Sequence, residues 1–179
     1  MVRIRQLMSI AVMVAVTATP AFAALKAGDA APDFKLPASM GGKVFTFDLR
    51  SALQKGPVVL YFYPAAFTKG CTIEAHDFAE AIGQYQALGA TVIGVSHDTI
   101  DTLNKFSVSE CRSKFPVAAD PTLKVAGEYD AILKANPKYA DRTSYVIAQD
   151  GKIAYAYSSL DPDKHVANTL DALKTLTKH

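Results

Sequence analysis

Apolar residues run along this chain in two periods. At residues 58–63 and again at 91–96 they are nearly continuous and rich in β-branched and aromatic side chains, the pattern of strands buried on both faces. Between these runs, Phe78, Ile82, Tyr85 and Leu88 recur at helical spacing. A helix opening at Cys71 and closing near Gly89 therefore packs one face inward. Strand, helix and strand with short connections make a βαβ unit, whose two strands run parallel.

Upstream, residues 24–37 read as an extended segment punctuated by proline. Gly41-Gly42 marks a turn, and residues 43–49 alternate as a half-buried strand, so a β-hairpin precedes the main sheet. Downstream, His97, Asp98 and Thr99 start a second helix with Ile100, Leu103 and Ser107 on one face, a face that Cys111 continues. Residues 115–119 form a short strand, 123–129 a brief helix and 136–141 a loop. Residues 143–148 and 152–157 flank Gln149-Asp150-Gly151 as a second hairpin. Asp161 and Pro162 are the N-cap and first residue of a final helix striped by Val166, Leu170 and Leu173. A parallel βαβ half followed by a hairpin and a closing helix predicts an α/β fold. It is the thioredoxin-like three-layer arrangement, with a central mixed sheet and an N-terminal β-hairpin extension.

The first 23 residues follow neither pattern. Arg3 and Arg5 precede an apolar stretch at 7–16, and Ala21-Phe22-Ala23 makes a small-x-small cleavage site. Residues 1–23 are expected to be a signal peptide, and 24–179 a single mature domain beginning at Ala24. The destination is then periplasmic or secreted, with an uncleaved anchor as the alternative. Without Arg3 and Arg5, 19 basic residues become 17, against 17 acidic ones. No basic stripe remains to bind nucleic acid or a membrane surface. The four histidines at 76, 97, 165 and 179 lack ligand spacing, so no metal is expected.

Two cysteines, Cys71 and Cys111, are present, with no C-x-x-C. A cysteine in the first turn of a helix faces unpaired backbone N–H groups and the positive helix end, both of which favour thiolate over thiol. Thr68, Lys69, Gly70 and Thr72 flank Cys71 with polar or backbone-exposing positions, unlike the apolar setting of an inert packed cysteine.

The run Pro64-Ala65-Ala66-Phe67-Thr68-Lys69-Gly70-Cys71 resembles the P-x-x-x-T-x-x-C signature of peroxiredoxins. Gly28-Asp29-Ala30-Ala31-Pro32-Asp33-Phe34 with Leu36-Pro37 is similar to the opening of that family, and Arg142-Thr143-Ser144-Tyr145 to its R-x-[ST]-[FY] strand. The resemblance spans essentially the whole mature chain. Within the family, Tyr61-Phe62-Tyr63-Pro64 and Cys71-Thr72-Ile73-Glu74-Ala75 resemble the bacterioferritin-comigratory, or peroxiredoxin Q, branch.

The resemblance implies a cofactor-free thiol peroxidase acting on hydrogen peroxide and organic hydroperoxides, as a monomer or dimer. A thioredoxin-like protein or a small thiol would be the reductant. Cys71 would be the peroxidatic residue, with Thr68 offering a hydroxyl to the reacting atoms and Arg142 holding thiolate and peroxide oxygen by its charge. Pro64 would shape and shield the loop, and the Gly70 and Cys71 amides would be further donors. The alternative is a thioredoxin-fold thiol–disulfide, redox-sensing or binding protein with a structural Cys71–Cys111 disulfide.

Many members of this branch carry a resolving cysteine five residues after the peroxidatic one. Here that position is His76. An internal resolver must then be Cys111, yet helix from Asp98 to Cys111 would carry it up to about 20 Å away at 1.5 Å per residue. A disulfide needs Cα atoms within about 7 Å, so helix would have to unwind. Three roles stay open for Cys111: resolver, packed thiol, or partner in an intermolecular bond. A one-cysteine cycle served by an outside thiol is the further alternative.

Overall fold

The computed structural model describes residues 25–176, so the expected signal peptide lies outside the described residues. In chain order the elements are β1 (Lys35–Met40), β2 (Lys43–Asp48), α1 (Leu49–Leu53), β3 (Val58–Phe62), α2 (Lys69–Ala87), β4 (Thr91–Ser96) and α3 (Ile100–Ser109). Then follow β5 (Val117–Ala119), α4 (Lys124–Glu128), β6 (Thr143–Ile147), β7 (Ile153–Ser158), a 3₁₀ turn (Pro162–Lys164) and α5 (His165–Leu176).

The strands form one mixed sheet in the order β2-β1-β5-β4-β3-β6-β7. β3 pairs in parallel with β4, and β4 with β5, while the outer neighbours pair antiparallel. Every residue of β3 is buried, because helices cover both faces of the sheet. Side chains alternate between the faces. Val59, Tyr61 and Tyr63 enter one core with Phe78 of α2, Phe106 of α3 and Leu170 of α5. Val58, Leu60 and Phe62 enter the other, with Leu49 of α1 and Val125 of α4. This is the three-layer α/β arrangement that the apolar pattern predicts, and no helix among the described residues is long and apolar enough to cross a membrane.

Three local expectations change. The N-terminal hairpin is continuous with the sheet, since β1 pairs with β5 as well as with β2. Its first strand takes in Leu36-Pro37, part of the segment read only as extended. Residue 49 belongs to α1, a single turn capped by Asp48, whose carboxylate accepts from the Ser51 amide at 3.0 Å. Five residues are too few to show a helical period. The second helix does not reach Cys111: α3 ends at Ser109, and Arg112 and Ser113 adopt left-handed φ values of 50° and 58°. The Ser113 amide closes back on the Ser107 carbonyl at 2.9 Å, a helix stop built without the usual glycine.

The core beside α2 is a column of rings. Tyr61 stacks on Phe78 with centroids 4.4 Å apart, and Tyr63 lies 5.4 Å from Tyr61. The Tyr61 ring rests on Gly94, its partner on β4. A Cβ there would fall 2.6 Å from ring carbon Cζ, and the buried, stacked ring has nowhere to move. Gly94→Ala is therefore expected to destabilise the fold by about 1–3 kcal/mol through overpacking, read as a lower urea midpoint. An unchanged midpoint would contradict this packing.

Candidate active site

β3 ends pointing into a loop, residues 63–68, that delivers the chain to the start of α2. The next strand pins this loop from the side. The Asp98 carboxylate accepts from the Ala66 amide at 2.7 Å and from the Ser96 hydroxyl at 2.8 Å, and His97 Nδ1 donates to the Pro64 carbonyl at 2.9 Å. Phe67 takes a left-handed φ of 63°, turning the chain, and its ring meets Phe106 edge-on at 5.2 Å. His97 and Asp98 do not begin a helix as expected from sequence; they hold the loop, and Thr99 caps α3.

Thr68 occupies the N-cap position of α2, but its hydroxyl does not cap the helix. It donates instead to the Ala65 carbonyl at 2.9 Å and is exposed. The helix begins at Lys69, and Cys71 sits in its first turn at 2% exposure. The amides of this turn lack helical partners, so the sulfur lies where backbone N–H groups and the positive helix end converge.

Arg142, just before β6, is not a surface charge: only 4% of it is exposed. All three guanidinium nitrogens are committed. Nε donates to the Leu160 carbonyl at 3.0 Å, Nη1 to Glu74 Oε2, and Nη2 to Cys71 Sγ at 3.4 Å. Gly70 makes that approach feasible, because a Cβ at this position would lie 3.0 Å from Nη2. Burial works against the Arg142 charge, but Glu74 and Cys71 favour it and hold its pKa above the ordinary value.

In the sequence Glu74 stands out only as part of the family-like run 71–75. The residue is fully buried, one turn along α2 from Cys71 and on the same inward face as Ala75 and Phe78. A carboxylate in that apolar stripe was the available signal. Burial pushes its carboxyl up to about 8, against the Arg142 charge, which pulls it down. Oε2 meets the guanidinium, while Oε1 has no hydrogen-bond partner.

Cys71 and Cys111 are both free, buried thiols. Burial pushes the Cys111 thiol well up, so in its folded setting it is a packed, protonated side chain. Its turn is clasped to α2 from both sides: His76 Nε2 meets Glu110 Oε2 at 2.9 Å, and Arg112 Nη1 meets Glu80 Oε1 at 3.1 Å. Cys71, Arg142, Thr68 and Pro64 thus gather at one end of the sheet, and Cys111, under a separate turn, belongs to the same buried cluster as Cys71, with Tyr61 and Tyr63 facing both sulfurs.

The chain matches the AhpC/TSA family model over residues 27–156. It is 33% identical over 150 residues to chloroplastic peroxiredoxin Q of Oryza sativa subsp. japonica, covering 83% of this chain and 67% of that one. Among solved structures it is similar to peroxidoxin BcpB from Mycobacterium tuberculosis, with TM-score 0.76 and 32% identity, covering 85% of this chain and 98% of that chain. It is also similar to the bacterioferritin comigratory protein of Xanthomonas campestris, studied for alkyl peroxide reduction, with TM-score 0.70 and 26% identity, covering 79% and 92%.

The Glu74 carboxyl carries a pH signature. Below its ordinary value of 4.5 it is protonated whether the chain is folded or not; from there to about 8 the unfolded chain gives up the proton and the folded one keeps it. Stability then falls as pH rises, by up to about 1.4 kcal/mol per unit. Urea midpoints of wild type and Glu74→Gln should diverge from about pH 5 to about pH 8, wild type losing ground, and the gap should level off above that. A gap constant across the window would mean that the carboxylate stays charged throughout.

Proposed function

The chain belongs to the AhpC/TSA family and is a thiol-dependent peroxidase, and from that premise we propose that Cys71 is the thiol that peroxide oxidises. Arg142, Thr68 and Pro64 complete its site. The observation that carries the reading is the 3.4 Å approach of a buried guanidinium to Sγ in the first turn of a helix. In the reaction the Cys71 thiolate attacks one peroxide oxygen in line. An S–O bond forms as the O–O bond breaks, the sulfur is oxidised to sulfenic acid, and the departing oxygen takes a proton to leave as water or an alcohol. Negative charge spreads over both oxygens as the bond breaks, and Arg142 supplies fixed positive charge beside it. The Thr68 hydroxyl, already donating to Ala65, offers its lone pairs to the peroxide O–H. Pro64, its carbonyl held by His97, shapes the loop. Organic hydroperoxides join hydrogen peroxide as substrates.

Recovery runs through Cys111. Its buried thiol is unreactive until the turn at 110–113 lifts from α2 or the first turn of α2 unwinds. It then condenses with the Cys71 sulfenic acid to a disulfide, releasing water, and an external thiol such as a thioredoxin-like protein reduces the bond. The protein works after export, with residues 1–23 removed.

Single-turnover peroxide consumption separates these roles. Cys71→Ser should consume none, and retained consumption would sink the assignment. Arg142→Gln should slow the reaction about 100-fold, the usual cost of losing one charge-stabilising donor. Cys111→Ser should consume one equivalent and stop at the sulfenic acid; full turnover with thioredoxin in that variant would give regeneration to an outside thiol. Intact mass of the protein recovered from a periplasmic extract should match a chain starting at Ala24, and a mass including residues 1–23 would refute processing.

A further inference from the structure

Arg142 is one cation between two buried acidic groups, the Cys71 sulfur and the Glu74 carboxyl. If both were ionised, the cluster would carry a net negative charge with almost no access to water, which is costly. A proton must therefore reside somewhere in it. One more titratable group reaches the cluster, and nothing in the peroxide reaction as described uses it.

That group is His165, the first residue of α5, fully buried. Its tautomer follows from its partners. Nε2 lies 2.9 Å from the Ser159 carbonyl, which only accepts, so Nε2 carries hydrogen. Nδ1 is then a lone pair in the neutral ring, accepting from the Ser144 hydroxyl at 2.8 Å. The same Nδ1 lies 3.7 Å from Glu74 Oε1, the oxygen with no partner. The one Nδ1 lone pair is engaged by Ser144, so an ionised Oε1 beside this electron-rich nitrogen would be repelled and unpartnered in the interior. A single proton on either atom turns the repulsion into attraction. Ser159 also donates its amide to the Arg142 carbonyl at 3.1 Å, and the adjoining Leu160 carbonyl receives Arg142 Nε, so His165 and Arg142 are held by one short segment.

We propose that His165 is a positioning residue for the peroxide reaction, keeping one proton on the pair it makes with Glu74, on Oε1 or on Nδ1 with the Ser144 hydroxyl turned to accept, so that Glu74 orients Arg142 without neutralising it. The guanidinium charge then stays with the Cys71 sulfur. This rests on the reading of Cys71 and Arg142 given above. The other groups facing Glu74 are Asp77 and the Tyr85 hydroxyl on its own helix and the Tyr61 hydroxyl from β3, with Cys71 reached through Arg142. Facing His165 are Arg142, Asp141, Asp161 and the Tyr157 ring. Burial holds the imidazole below its ordinary value and the Glu74 carboxyl above its own, so the shared proton rests mainly on Glu74.

The test is a double-mutant cycle with a pH profile as readout. His165→Phe keeps a ring against Tyr157 and removes both nitrogens; His165→Asn keeps an acceptor for Ser144 but cannot carry the proton, and serves if the Phe variant folds poorly. In either, the proton should shift from Glu74 toward the Cys71 sulfur. Alkylation of Cys71 by iodoacetamide and its oxidation by hydrogen peroxide should then both slow about three- to tenfold near neutral pH, their profiles moving up by about half to one unit. Added to Glu74→Gln, which removes the second acidic group, the same His165 substitutions should change neither rate by more than about twofold. Equal shifts in both backgrounds would make His165 a packing residue and overturn the proposal, as would unmoved profiles in both variants. If alkylation shows the coupling while peroxide fails to oxidise Cys71 in wild type, the proton-sharing pair stands and the peroxidatic reading falls.

Discussion

One buried guanidinium carries most of the constraint in this molecule. Arg142 is almost without solvent, so each of its nitrogens must find a partner from within: a carbonyl for Nε, a carboxyl for Nη1 and a sulfur for Nη2. Those three partners come from three different stretches of chain, the segment before α5, the body of α2 and its first turn. Satisfying one side chain therefore fixes how the two helices stand against β6. It also sets the electrostatics of the sulfur, because a charge in the interior acts through a lower dielectric than one at the surface. Stability and chemistry meet in the same contact.

The rest of the fold keeps that contact in place. β3 is buried along its whole length and aims the loop; the ring column of Tyr61, Tyr63 and Phe78 sets the height of α2 above the sheet. Asp98 and His97, from the end of the neighbouring parallel strand, tie the loop by its backbone. Parallel pairing brings the ends of β3 and β4 to the same edge, so the second strand can brace what the first delivers. Gly70 and Gly94 serve the same end by leaving room, one for the guanidinium and one for the Tyr61 ring.

The second thiol lies under a different kind of control. Cys111 is held by a turn with two left-handed residues, each an unfavourable conformation for a side chain, and by the Arg112–Glu80 ion pair and the His76–Glu110 contact from that turn to α2. Such a segment is stable only as long as its neighbours hold it. His76 is one of those neighbours, at the position where many members of the branch carry a second cysteine, so in this chain the same place on α2 holds the turn instead of the sulfur.

Much of this was legible in the residues. The period-2 and period-3.6 runs determined the strands and helices of the βαβ half, and Asp161-Pro162 the start of the last helical segment. Cys71 followed a loop with the polar and small residues that a reactive thiol requires, and its match to a family signature brought Thr68, Pro64 and Arg142 with it. Short-range physics writes such features into contiguous sequence, because they depend on side-chain spacing and on backbone conformation. The stop of α3 before Cys111 was not legible, since no glycine or proline marks it and tertiary contacts hold the left-handed residues. Nor was the company Arg142 keeps: Glu74 lies 68 residues away from it in sequence, and only the packing of α2 and α5 on the sheet makes the two a pair. Sequence by itself determined the elements and singled out Cys71 as the candidate sulfur; tertiary structure decided which charges surround it, because desolvation and proximity exist only once distant segments have met.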